Sequence, residues 1–174
     1  MLRHPLLIGT PLTGHDAPVT GELVIDIEDP AAYDVRALLG THREFSEAVT
    51  PAEHVHALVA DEVLRPTITL LSARRDGALV AVGALRQLDA VHGEIKAMHT
   101  AVAARGTGAG RAVLDGLLDL ARARGYERVS LETGTMDAFA PARTLYRSAG
   151  FVPCAPFGEH TDNPHSICMS LTLV

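Results

Sequence analysis

The spacing of apolar and polar positions changes several times along this chain, and each change marks an element. Leu23-Val24-Ile25-Asp26-Ile27 alternates loosely and stops at Asp29-Pro30, the pattern of a first strand. Over 31–64 the period becomes helical. Val35, Leu38 and Leu39 form one stripe, and Val55, Leu58, Val59 and Val63, with Glu62 as a polar gap, form a second. Thr50-Pro51 divides the two, because threonine can cap a helix and proline suits its first turn; Pro66 stops the second helix. Residues 67–73 and 78–88 return to strand-like patterns on either side of Arg74-Arg75-Asp76-Gly77. Asp-Gly between two apolar runs predicts a hairpin. A third strand of this group is expected over 94–102.

Over 108–124, Val113, Leu114, Leu117, Leu118 and Ala121 share one face, which predicts an amphipathic helix closed by Gly125. Val129-Ser130-Leu131-Glu132-Thr133 reads as a short strand, and 138–149 as a second helix closed by a glycine, Gly150. Phe151-Val152 and 167–173 look like terminal strands. No repeat or linker interrupts the series. The expectation is one mixed α/β domain over 21–174, preceded by a flexible lead-in over 1–20.

Composition narrows the picture. A chain of 174 residues suits a single core, and no apolar run approaches the roughly 20 residues that cross a bilayer, so no membrane partner is expected. Leu6-Leu7-Ile8 is too short for the core of a signal peptide. Cys154 and Cys168, the only cysteines, form neither a disulfide framework nor a zinc spacing. Together these predict a cytoplasmic protein. The net charge of -6 repels phosphate backbones, so no nucleic acid is expected as partner. The nine histidines do not suggest a metal site: only His54 and His56 are close, and two positions apart on a helix they face different ways.

The segment Arg105-Gly106-Thr107-Gly108-Ala109-Gly110 carries the clearest chemistry. It lies between an expected strand and an amphipathic helix. Its glycines let the backbone approach a ligand, and the helix start adds unpaired N–H groups and a positive dipole end. Strand, glycine loop, helix N-terminus and arginine make a diphosphate site. A dinucleotide fingerprint needs Gly-x-Gly-x-x-Gly, and the last position falls on Arg111 or Val113, so it fails. A nucleotide-triphosphate loop needs Gly-Lys before Ser or Thr, and Gly110 is followed by Arg111-Ala112.

Arg105-x-x-Gly108-x-Gly110, followed by the helix, Gly125-Tyr126 and Leu145-Tyr146-x-x-x-Gly150-Phe151, resembles the GNAT superfamily of acyl-CoA-dependent N-acetyltransferases over 94–151. Gly93-Glu94-Ile95-Lys96-x-Met98, Leu131-Glu132-Thr133-Gly134 and Pro156-Phe157-Gly158 are similar to a bacterial subgroup of those enzymes. That subgroup carries an aromatic where His160 stands and an Asp where Asn163 stands. The resemblance implies a mixed, mostly antiparallel sheet of about six to seven strands flanked by about four helices and splayed between its fourth and fifth strands.

The resemblance also implies roles. Acetyl-CoA would be the co-substrate, with no metal, and an acetyl group would pass to a primary amine of a small molecule by direct attack. Arg105, Gly106, Thr107, Gly108, Ala109, Gly110 and Arg111 would hold the diphosphate, and Met98, His99 and Thr100 the pantetheine. Tyr146 would protonate the departing thiolate, and Glu94 would be the general base, its pKa raised by burial; Glu132 and His99 are rivals. Helices with Glu44, Glu47, Glu53, Asp61 and Glu62 would border a cationic acceptor. Cys154 lies outside the motif and reads as a core residue. A CoA-binding sensor without turnover, or action on a protein amine, stays open at this point. Dimers are common in the superfamily, so a homodimer is an expectation, although no segment marks an interface.

Overall fold

The computed structural model describes residues 21–51 and 62–173. The expected lead-in over 1–20 and most of the second expected helix, with His54, His56, Glu53 and Asp61, lie outside the described residues. The alternating segments form one seven-stranded sheet in the order β1-β2-β3-β4-β5-β7-β6. These are β1 (Leu23–Ile27), β2 (Ile68–Arg75), β3 (Ala78–Gln87), β4 (His92–Thr100), β5 (Arg128–Gly134), β6 (Val152–Pro153) and β7 (Ser166–Thr172). The hairpin between β2 and β3 turns on Asp76 and Gly77, both with positive φ (51° and 82°), as a tight two-residue turn requires. All neighbours pair antiparallel except β4 and β5. A parallel pair needs a crossover, and α2 (Ala109–Ala123) supplies it.

Three helices flank the sheet among the described residues: α1 (Tyr33–Val49), α2 and α3 (Ala140–Ser148). The inward stripe of α2 is the one the period predicted: Val113, Leu114, Leu117, Leu118 and Ala121 are all buried, in one core with Leu85, Ile95, Val129, Leu131 and Met169. Each buried large aliphatic contributes about 1.5–3 kcal/mol, so this face fixes the helix on the sheet. Val35 and Leu39 of α1 form a second core with Leu70, Val82, Ala84 and Ala97. The expected strand over 94–102 starts earlier, at His92, and stops at Thr100. Val102–Ala104 instead winds into a 3-10 turn that delivers the chain to the glycine loop.

Two irregularities in β4 build the site. Opposite β3, Val82 pairs with His99 and Ala84 with Lys96, so Ala97 and Met98 both face Gly83 in a bulge. Ala97 has φ +52°, outside the usual range for a residue with a Cβ. The extra residue reverses the in-out alternation. His99 therefore reaches the α1 side, where its ring lies 5.3 Å from that of His42, although it is odd-numbered and Glu94 and Lys96 are even. Opposite β5, the ladder ends at Ile95 and Leu131 while both strands continue, and this is the predicted splay.

Candidate active site

Beyond the splay, a largely apolar cavity of about 480 Å³ runs between β4, α3 and the loop before α2. Met98, His99, Thr100, Arg105, Gly106, Gly108, Ala109, Gly110 and Arg111 all line it. Gly106 and Gly108 take positive φ of 74° and 87°, and no atom lies within 4 Å of where a Cβ would stand on either. The loop is thus open, and the first amides of α2 lack intrahelical acceptors. Thr107 does not line the cavity: its hydroxyl donates to the Ala104 carbonyl (2.7 Å) and its own carbonyl accepts from Arg75 (3.5 Å). It braces the loop. The Arg111 guanidinium donates to Asp115 (2.8 Å), while Arg105 donates only a long 3.5 Å bond to the Thr100 carbonyl. These features fit a CoA: open backbone amides and Arg105 for the diphosphate, and an apolar channel for the pantetheine.

A smaller polar cavity of about 120 Å³ opens on the other side, lined by Ser46, Thr50, Glu94, Lys96, Glu132, His165 and Ser166 among others. Tyr146 borders both cavities. Its ring packs edge-on against Phe151 (centroids 5.9 Å apart), and α3 is anchored by Arg143, which donates to the Gly134 (2.6 Å) and Met136 (2.9 Å) carbonyls. Burial pushes its phenol above the ordinary tyrosine value, so it stays protonated at neutral pH.

His42 also borders both cavities. Burial, then the neighbouring His99, push its imidazole down to about 4. Burial and then Arg105 push His99 below the ordinary histidine value. Both rings are therefore neutral at pH 7. Among the described residues, His42 Nδ1 and His99 Nε2 are buried without a hydrogen-bond partner. An unsatisfied buried nitrogen costs about 1–3 kcal/mol, and here two sit on facing rings.

Glu94 is 2% exposed and lies in a charged network that sequence spacing did not reveal. Lys96 Nζ donates to its Oε1 (3.1 Å), and Arg86 lies 3.7 Å from its Oε2. His160 Nε2 stands 2.7 Å from Glu94 Oε1, and its Nδ1 stands 3.0 Å from Glu132 Oε2. Carboxylate oxygens only accept, so both ring nitrogens must donate and the imidazole is protonated. The bonds to Glu132 and Glu94 raise it to about 9 against the opposing effect of burial. Ser166 Oγ donates to Glu132 (2.6 Å) and accepts from Asn163 (2.8 Å). The expected rise of the Glu94 pKa is reversed: burial pushes it up, but the bonds from His160 and Lys96 outweigh that and hold it below the ordinary carboxylate value.

A family model, the Acetyltransferase (GNAT) family, matches residues 35–151. The chain belongs to the GNAT family. It is therefore an acyltransferase. The uncharacterized N-acetyltransferase YsnE of Bacillus subtilis (strain 168) is 40% identical over 149 residues, covering 86% of this chain and 99% of the relative. A structure from Klebsiella pneumoniae described as a putative acyl-CoA N-acyltransferase has a TM-score of 0.73 at 24% identity, covering 87% of this chain and 98% of that one. The structure of yncA from Salmonella typhimurium, described as a putative acetyltransferase with its cofactor acetyl-CoA, has a TM-score of 0.65 at 19% identity, covering 87% and 94%. These likenesses match the seven-stranded mixed sheet.

In this GNAT enzyme the expected site residues split between the two cavities. The expected diphosphate and pantetheine residues, Thr107 aside, share the larger one, and Glu94 and Glu132 the smaller, while Cys154 is half-buried and lines neither. Of the acidic residues expected beside the acceptor on α1, Glu44 is exposed and Glu47 is paired with Arg43 at 2.6 Å; neither lines the polar cavity. His42, on the same expected helix as those acidic residues, has no role implied by the resemblance, yet it continues the inward stripe of Val35, Leu39 and Ser46 at helical spacing. Among the described residues no group of three or more His, Cys, Asp or Glu could hold a metal, and no helix is long and apolar enough to cross a membrane.

Gly108→Val tests the loop. A β-branched residue at φ +87° is strained by about 1–2 kcal/mol, and its side chain would project into the open loop. The expected result is a Kd for CoA raised about tenfold or more by calorimetry. Unchanged affinity would mean that the ligand approaches elsewhere.

Proposed function

We propose that the protein transfers an acetyl group from acetyl-CoA to a primary amine of a small molecule, without an acyl-enzyme. The observation that carries this reading is the meeting of two unlike cavities at Tyr146, one apolar beside a glycine loop and one small and polar. A polar cavity of about 120 Å³, lined by Glu94 and Lys96 of β4 and Glu132 of β5 among others, suits a small acceptor.

The residues divide the work. Arg105 and the amides of Gly108, Ala109, Gly110 and Arg111 hold the diphosphate, and Met98, His99 and Thr100 border the pantetheine. The amine adds to the thioester carbonyl carbon, the carbon–sulfur bond breaks, and Tyr146 gives its proton to the departing sulfur. Glu94 was expected as base, but its carboxylate is held as an anion by Lys96 and His160, so it accepts a proton poorly. Its role in this reading is to orient the acceptor from the wall of the polar cavity. With the charges of Lys96 and His160 balancing those of Glu94 and Glu132, that wall carries both signs, which suits an amine that also bears an anionic group better than a simple polycation.

An amine library incubated with acetyl-CoA, with release of free thiol as the readout, tests the proposal. Turnover with at least one small amine, and a rise in melting temperature on adding CoA, are expected. CoA-induced stabilisation without thiol release from any amine would mark a sensor instead. Release only with peptides would move the acceptor to a protein.

A further inference from the structure

The two cavities share five lining residues: His42, Met98, Phe139, Ala142 and Tyr146. The thioester and the amine must meet at this junction, and only His42 and Tyr146 there can exchange protons. If Tyr146 supplies the proton to sulfur, the proton lost by the amine needs another acceptor. Glu94 and Glu132 line only the polar cavity, and both are bonded to the His160 imidazolium. His42, by contrast, offers an imidazole with a buried nitrogen that has no partner among the described residues. His99 is 7% exposed, packs against it from β4, and has an unpartnered nitrogen of its own.

We propose that His42 is the base that takes the proton from the acceptor amine, and that His99 is a positioning residue that holds its ring. The inference rests on the transfer reading and deepens it. In the step, the nitrogen lone pair forms the carbon–nitrogen bond as the carbonyl π pair moves to oxygen. One proton then passes from nitrogen to an unprotonated nitrogen of His42. The oxygen pair returns, the carbon–sulfur bond breaks, and sulfur takes the Tyr146 proton. His42 afterwards loses its proton to solvent through the polar cavity, and Tyr146 is reprotonated.

The electrostatics agree with that placement. His42 packs against His99 from β4, borders Tyr146 from α3, and shares the polar cavity with Glu94 and Lys96 of β4, Glu132 of β5 and His165. Glu94 and Glu132 are tied to Lys96 and His160, and burial and then His99 hold the His42 imidazole down at about 4, so the ring waits in its proton-accepting form. The nitrogen becomes more acidic once it has added to the carbonyl, which favours its release of a proton to the neutral imidazole.

The test uses the full chain, acetyl-CoA and the most productive amine of the library. The kcat is followed against pH for the wild type, His42→Gln, His42→Ala and Glu94→Gln. His42→Gln is expected to lower kcat about 100-fold, with the KM for acetyl-CoA changed less than about twofold. It should also abolish an acid limb lying below the ordinary histidine value of about 6.5. Glu94→Gln should keep that limb, and added imidazole should restore part of the rate of His42→Ala. A His42→Gln enzyme within about threefold of wild type, or one that keeps the limb, would overturn the proposal. So would loss of CoA-induced stabilisation in both His42 variants with no rescue by imidazole, since the residue would then be structural. Wild type that releases no thiol with any amine would sink the transfer reading and this proposal together. Wild-type turnover that His42→Gln matches would sink this proposal alone.

Discussion

Tyr146→Phe is expected to lower kcat for acetyl transfer by about 100-fold or more while CoA still binds. The substitution keeps the ring, and with it the edge contact to Phe151 and the packing of α3, so folding should be nearly unaffected. What it removes is the hydroxyl of a residue that borders both cavities, which burial keeps protonated well above neutral pH. Without that proton the thiolate must leave as an anion into an apolar channel, which raises the barrier of that step alone. The KM for acetyl-CoA should therefore move little. Steady-state kinetics together with CoA titration by calorimetry check this. A rate within about twofold of wild type would return Tyr146 to the status of a core residue.

His160→Gln is expected to produce the largest loss of stability. The imidazolium joins Glu94 on β4 to Glu132 on β5 across the mouth of the splay, with both carboxylates nearly buried. Glutamine cannot supply a charge, so the two nearly buried carboxylates lose the cation they share, Glu94 keeping Lys96 at 3.1 Å and Glu132 the Ser166 hydroxyl at 2.6 Å. Breaking a buried ion pair in this way costs about 3–5 kcal/mol, or on the order of 10 °C in melting temperature for a chain of this size.

The pH dependence follows from the directions of the two shifts. His160 is raised from 6.5 to about 9, so its contribution is complete below 6.5 and is lost as the pH rises through about 9. Glu94 is lowered from 4.5, so its contribution is present above 4.5 and is lost as the pH falls below that. The wild-type advantage over His160→Gln should be greatest between these limits and shrink toward pH 9. Thermal melts of both proteins across that range decide it. Equal melting temperatures at pH 6 would show that the network adds nothing.

Much of the fold could be read locally because its causes are local. The inward face of α2 is set by residues three and four apart, and the β2–β3 hairpin by Asp76-Gly77. The glycine loop before α2 is set by glycines within a span of five positions, two of which take a positive φ. The splay came from a family resemblance, and the ladder between β4 and β5 does stop at Ile95 and Leu131. The bulge at Ala97 left no local mark, because an alanine with positive φ reads as ordinary strand. Its effect is large all the same, since it turns His99 toward α1.

The chemistry of the site shows the same division. The sequence by itself marked a candidate diphosphate loop over 105–110, because one short segment carries nearly all the groups that a diphosphate needs, and the family resemblance made it a CoA-type site. Only the tertiary structure decided how the acceptor side is charged. His160 lies 66 positions from Glu94 in the chain, yet 2.7 Å from it in space. Burial taken alone predicts a raised pKa for Glu94, and the shift takes the opposite sign because Lys96 and His160 stabilise its charged form. His42 reached the junction in the same way, through the docking of α1 over a bulged strand. A backbone loop of adjacent residues is encoded where it is read, whereas a pKa depends on every charge brought near by folding.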